Sequence, residues 1–165
     1  MAANTDNPAL REAWHEVANK DTATNWCLLE FDGASKNMKV AGQGCGGLEE
    51  LKSHLSDDAV AFGAFRVIGV DDRSTTTSRR PKFVFITWLG PNVSVLKKAR
   101  VSIQRAQVMK VFDGIQIAYD IPDRDSFTKE EIIKLLCTAG GAHKPTYYEF
   151  AEGDQLALDF YENPQ

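Results

Sequence analysis

The feature that most constrains this chain is a short apolar run, FVFITWL, at residues 83–89. Aromatic and β-branched residues dominate it, which favours a β-strand over a helix. The run shows no alternation of apolar and polar residues, so both faces of the strand are apolar. It is also far shorter than the roughly 20 residues that a membrane-spanning helix needs. The sequence therefore predicts a central strand over residues 82–89 that is covered on both faces.

The remaining elements follow from turn signals and apolar spacing. Four more strands are predicted, at residues 24–31, 37–41, 59–69 and 114–121. Four helices are predicted: one starting at Asn7-Pro8, one from Leu48 to Leu55, one capped by Asn92 and running to about Phe112, and one from Ser126 to Gly140-Gly141. A chain of 165 residues with no repeat and no linker before residue 140 is the size of one domain.

Positive charge is concentrated in one segment. Nine Lys and Arg residues and no Asp or Glu lie between Arg73 and Phe112, whereas the rest of the chain has 10 basic and 23 acidic residues. A basic segment on an acidic body indicates an anionic partner that is engaged at one place. A solvated helix face without carboxylates gives the same composition, so composition leaves both interpretations open.

Several kinds of site are not indicated. Cys27, Cys45 and Cys137 are odd in number and contain no Cys-x-x-Cys pair, which argues against disulfides and structural zinc and suits a reducing cytosol. The three histidines have no second ligand at metal spacing. The start of the chain does not resemble a secretion signal. The usual catalytic motifs are also missing, so we expect no enzyme, no cofactor and no metal.

Gly42, Gly44 and Gly47 match the dinucleotide-binding spacing G-x-G-x-x-G. In a nucleotide-binding unit, however, the strand before the glycines is buried and apolar. Here that strand reads KNMKVA, with two lysines in six residues, and the helix that follows is barely two turns long. A flexible connection is the better interpretation of these glycines.

On a helical wheel the long helix after residue 92 has two apolar faces. The first, expected to face the core, consists of Val95, Leu96, Ala99, Ile103 and Ala106. The second consists of Val101, Val108 and Phe112, and the change of face predicts a bend near Ser102. Between them runs a stripe that we expect to be exposed, either as a docking surface or as an ordinary solvated edge: Lys98, Ser102, Arg105 and Met109.

Residues 82–99, KFVFITWLGPNVSVLKKA, resemble the signature segment of the coactosins, a branch of the actin-depolymerising factor homology family. Three more segments resemble the same family in the same order: FDGAS at 31–35, SDDAVAFGAFRV at 56–67 and TAGGA at 138–142. The resemblance covers roughly residues 8–142.

The resemblance implies an α+β fold, with a mixed five-stranded sheet between helices in α/β/α layers and a long kinked helix after the fourth strand. It implies a non-enzymatic cytoplasmic monomer that binds the side of filamentous actin, opposes barbed-end capping, and does little severing or monomer binding. Family binding positions carried onto this chain are Arg79, Arg80, Lys82, Lys98 and Arg105. Met109 stands where these proteins commonly have lysine.

Two alternatives remain at this stage. One is a cofilin-like protein that severs filaments or binds actin monomers. The other is a nucleic-acid binder, which would need exposed aromatics among the cations; we expect neither a nucleic-acid partner nor a membrane span. Residues 143–165 follow the expected domain of residues 1–142, and their one basic and five acidic residues predict a mobile tail, although the tail also contains aromatics.

Overall fold

The computed structural model describes residues 2–141 and 144–159, which form a mixed β-sheet with helices on both faces. Its strands are β1 (Trp26–Phe31), β2 (Met38–Gly44), β3 (Val60–Asp71), β4 (Ser78–Leu89), β5 (Ile117–Asp120), β6 (Tyr147–Ala151) and β7 (Asp154–Ala157). The main order is β2-β1-β3-β4-β5, with β6 paired to β3 and β7 to β6. Only β4 and β5 run parallel among these pairs in the described chain.

The apolar run of residues 83–89 forms most of β4, which pairs with β3 along its full length and with β5 on its other side. Successive side chains of a strand point to opposite faces. Val84, Ile86 and Trp88 accordingly lie in one apolar core, while Phe83 and Phe85 contact the other. The prediction of a central strand covered on both faces is confirmed.

Among the described residues, five α-helices cover the sheet: α1 (Pro8–Ala18), α2 (Gly47–Ser53), α3 (Val95–Ala99), α4 (Val101–Val108) and α5 (Lys129–Ala139). The buried residues of α1 and α4 belong to one core, and those of α2 and α5 to the core on the opposite face. The α/β/α layers implied by the sequence are therefore present.

The first helix forms for the reasons visible in its sequence. The Asn7 side chain accepts a hydrogen bond from the Ala9 amide at 3.1 Å, and Pro8 occupies the first helical position. Its expected apolar face is buried, and Trp14 is 1% exposed. The Trp14 indole donates to the Asp113 carboxylate at 2.9 Å, which ties α1 to the segment after α4.

Two helix starts were predicted wrongly. Ser94, not Asn92, caps α3, because its hydroxyl accepts from the Lys97 amide, whereas the Asn92 side chain donates to Asp58 at 2.9 Å. Thr128, not Ser126, caps α5 by accepting from the Glu131 amide at 3.2 Å. In both places two capping residues stand close together, and the one not used is engaged elsewhere. Asn92 bonds to the distant Asp58, and the Ser126 hydroxyl donates to Asp123, three residues earlier.

The long helix is broken at Arg100, which ends α3 and begins α4. The break lies two residues before Ser102, close to the predicted bend. A 3-10 turn at Met109–Val111 continues α4.

The expected tail contributes two strands, so the sheet has seven strands rather than five. Its apolar residues recur at every second position, and Tyr148 and Phe150 are 3% and 1% exposed. That spacing suits a strand with one buried face, a signal that the acidic composition outweighed in the sequence-based prediction. The expected boundary at residue 142 therefore does not coincide with the end of the sheet. Of the expected domain and tail, residues 1, 142, 143 and 160–165 lie outside the described residues.

Candidate functional site

The basic residues at the start of β4 divide between the two faces of the sheet. Arg80 and Lys82 alternate in phase with Val84, so they lie on the face that α5 covers. Arg79 alternates with Pro81 and Phe83 on the opposite face, where α1 packs. Arg79 and Arg80 are exposed and Lys82 is half-buried. The structure thus separates one of three cations that the sequence placed together.

Arg79 has a partner in the C-terminal hairpin. Its guanidinium lies 3.0 Å from a carboxylate oxygen of Glu149 in β6, and the side chain of Glu149 is only 17% exposed. Because the Arg79 side chain is half exposed to solvent, the pair contributes little to stability, about 0–1 kcal/mol. It does reduce the charge that Arg79 presents to a binding partner.

Arg80 and Lys82 line a cavity of about 120 Å³ between β4, the end of α5 and the segment before β6. Tyr148 forms part of its wall. Burial raises the pKa of this phenol above its ordinary value, and the neighbouring Cys137 raises it further. Tyr148 therefore stays neutral at physiological pH, and the charge of the cavity comes from its other residues.

The outward face of the long helix is apolar. Val95, Leu96 and Ile103 are 84%, 63% and 65% exposed. The expectation that this face packs on the core was wrong, because the helix packs through its second apolar face, with Val101 and Val108 buried. We call Val95, Leu96 and Ile103 the apolar ridge. The sequence analysis missed the ridge because either apolar face could have been the buried one.

The stripe of Lys98, Ser102, Arg105 and Met109 lies beside that ridge and is only partly exposed. Ser102 is exposed and Lys98 is half-buried. Arg105 lies 3.4 Å from the Asp120 carboxylate of β5, and its buried Nε finds no hydrogen-bond partner among the described residues. Met109 is half-buried against the core beneath α4, so it is less exposed than the sequence analysis expected.

The space around Gly42, Gly44 and Gly47 is filled by other residues of the protein. Gly42 and Gly44 lie in β2, antiparallel to β1, and a Cβ at Gly44 would collide with the Glu50 carboxylate. Gly47 has a φ of +65° and donates its amide to the buried Asn25 side chain at 2.9 Å. These close approaches explain the glycines without a nucleotide.

Within residues 2–141 and 144–159, no three His, Cys, Asp or Glu side chains come together as a metal site would require. Among the same residues, no helix is both long and apolar enough to span a bilayer.

Comparison with known proteins gives a consistent result. The model of the family described as cofilin/tropomyosin-type actin-binding protein matches residues 3–137. All of the residues named above on β4, α3 and α4 lie inside that match, whereas β6 and β7 lie beyond it.

Three relatives illustrate the similarity. Coactosin of Dictyostelium discoideum is 33% identical over 141 residues, which are 85% of this chain and 93% of that protein. The drebrin-like protein of Mus musculus is 30% identical over 145 residues, 87% of this chain but only 32% of that longer protein. The solution structure of mouse coactosin, described as an actin filament binding protein, superposes with a TM-score of 0.66 at 29% identity and covers 86% of this chain and 95% of its own.

Proposed function

Because this chain belongs to the family of cofilin/tropomyosin-type actin-binding proteins, we propose that it binds the sides of actin filaments and opposes barbed-end capping, with little severing and little monomer binding. The observation that carries the proposal is the similarity to coactosin along 93% of that protein's length. Mouse coactosin, described as an actin filament binding protein, supports the same choice. The proposed role is not enzymatic, and it places the protein as a monomer in the cytoplasm on the actin cytoskeleton.

The proposed binding surface contains Arg80 and Lys82 on the α5 side of β4, and Lys98 and Ser102 beside the apolar ridge. Each of these four residues is at least partly exposed, and none of them takes part in the ion pairs of the described residues that hold Arg79 and Arg105. Arg79 and Arg105 also belong to the proposal, but each first has to exchange an internal carboxylate for one on the filament. Met109 contributes through the exposed part of its side chain.

Co-sedimentation with filamentous actin, beside a binding assay with monomeric actin, tests the proposal. Lys82→Ala should lose most of the pelleting, because charge contacts that are partly desolvated in an interface cost about 2–5 kcal/mol when truncated. Its circular dichroism spectrum should stay that of the folded protein. Lys39→Ala, at an exposed position of β2, is the control and should pellet normally. Full pelleting of the Lys82 variant would remove this residue from the surface.

One observation favours the cofilin-like alternative. The apolar ridge suits a partner with an apolar cleft, and contiguous exposed apolar residues often mark interaction sites. If monomeric actin binds as tightly as filaments and Leu96→Ser weakens that binding, the cofilin-like role is the better description. The nucleic-acid alternative gains no support, since Phe85 and Trp88 are buried and unavailable for base stacking.

A further inference from the structure

The segment that leads into β6 builds a site that the family-matched residues alone would not have. The cavity beside β4 takes Arg80 and Lys82 from the strand, and Leu136 and Gly140 from the end of α5. A further part of its wall comes from Lys144, Pro145 and Tyr148. These three residues lie outside the family match of residues 3–137.

The register of three neighbouring strands explains why there is room for a cavity. Arg80 of β4 stands opposite Gly69 of β3, and Gly69 stands opposite Tyr148 of β6. A side chain at Gly69 would reach the Tyr148 ring at 3.4 Å and Pro145 at 3.5 Å. The absence of that side chain leaves an opening floored by backbone and walled by Tyr148 and Pro145.

The charge around the cavity is positive. Arg80, Lys82 and Lys144 contribute three cations, and Asp71 is the one carboxylate among the described lining residues. The guanidinium of Arg73 binds both oxygens of Asp71, at 3.0 and 3.1 Å, which offsets that negative charge. The same guanidinium donates to the Lys144 carbonyl and so fixes the backbone that carries the third cation.

We propose that this cavity receives an acidic side chain of the filament, presented beside an apolar one, and that Lys144 is an additional filament-binding residue. This inference rests on the proposed function and deepens it. The three cations suit a carboxylate, and the apolar surfaces of Leu136, Pro145 and Tyr148 suit its apolar neighbour. A phosphate suits the cavity less well, because the carbonyl end of α5 at Gly140 carries partial negative charge and disfavours a compact dianion.

Charge reversal tests the role of Lys144. Lys144→Glu should raise the dissociation constant for filaments about fivefold or more, since it replaces an attraction at the interface by a repulsion. Lys39→Glu changes the net charge equally, but on β2, where Lys39 stands opposite Glu30 of β1 and Glu30 opposite Ala61 of β3. Ala61 lies about 26 Å along β3 from Gly69, so this variant should bind as wild type does. If wild type pellets and Lys144→Glu pellets equally well, the inference fails while the proposed function stands.

A second measurement tests the cavity independently of actin. The full chain, labelled with ¹⁵N, is titrated with a synthetic peptide of alternating Glu and Leu and separately with inorganic phosphate. The peptide should shift the amide signals of Gly69, Lys82 and Gly140 in wild type, and much less in Lys144→Glu. Stronger shifts with phosphate than with peptide, or no shift of these amides with the peptide, would overturn the assignment of an acidic peptide. If wild type fails to pellet while the peptide binds, the proposed function fails and the cavity stands.

Discussion

Ile103 and Val108 lie five residues apart on α4 in opposite environments, since Ile103 is 65% exposed and Val108 is fully buried. We expect Val108→Ala to lower the free energy of unfolding by about 2 kcal/mol, from two lost methyl groups and the cavity they leave. Ile103→Ala should stay within about 0.5 kcal/mol of wild type. Urea denaturation of both variants measures this difference, and an equal loss in both would mean that the ridge is buried.

These two residues also explain why the sequence analysis chose the wrong buried face for this helix. A wheel locates apolar faces, but it does not say which face meets the sheet when there are two. Choosing between them requires the position of α4 over β3 and β4, which depends on Phe85 and Phe112 and on contacts far apart in sequence. Met109 follows the same logic and is half-buried as a result. The basic residues could be found from composition, whereas their faces and ion-pair partners could not.

Cys27 predicts a dependence of stability on alkaline pH. Burial raises the pKa of this thiol to about 12, whereas a thiol in an unfolded chain ionises near about 8.5. Above the lower value the unfolded state loses a proton that the folded state keeps, so stability should fall as pH rises from about 9 towards 12. Cys27→Ala should flatten the fall of the urea midpoint over that range.

The exposed Cys45 provides the matched control. Cys45→Ala should keep the wild-type slope, and Tyr148 contributes an alkaline loss of its own in all three proteins because burial raises its pKa as well. Identical slopes for wild type and Cys27→Ala would show that the Cys27 thiol is not buried in solution.

The C-terminal hairpin of β6 and β7 is held by specific packing. Phe150 lies in the core beneath α5, and the Lys129 ammonium lies 5.9 Å from its ring centre while pairing with Asp154 of β7. We expect Phe150→Ala to cost about 3–5 kcal/mol of stability in urea denaturation. Gln155→Ala, on the exposed side of β7, should cost almost nothing. A hairpin that is not docked would make the two variants equal.

Hydrogen exchange distinguishes a docked hairpin from the mobile tail expected from charge. The amides that pair β6 with β3, around Tyr148, should exchange as slowly as those of β1 if the hairpin opens only with the whole domain. Complete exchange of these amides within the dead time would show that the segment is mobile, as the sequence analysis expected.

Local signals predicted five strands and most helices because these follow from turns, caps and spacing. The hairpin depends on pairing with β3, some 80 residues earlier in the chain, which no local pattern encodes.

The charge distribution of the whole molecule predicts how binding responds to salt. Nine cations lie in the segment from Arg73 to Phe112 of a chain whose net charge is −4. Raising the ionic strength from about 0.01 M to 0.1 M shortens the screening length from about 30 Å to about 10 Å. We expect filament binding in co-sedimentation to weaken over this range, and to weaken less in Lys82→Ala, which has fewer charge contacts. If binding does not depend on salt, the apolar ridge rather than the basic residues contributes most of the binding free energy.

The long strand β3 has one of its edges covered by two different strands. β4 pairs with one edge of β3 throughout, while the other edge is paired first with β1 over residues 61–65 and then with β6 over residues 68–70. Shortening the chain after Gly141 would remove β6 and expose the edge of β3 at residues 68–70. Main-chain donors and acceptors beside apolar surface would then lack partners. Open strand edges of this kind join to one another between molecules. The hairpin therefore also protects the molecule from association through this edge. Its own outer strand, β7, is four residues long and begins with Asp154, and short, charged edge strands disfavour such pairing.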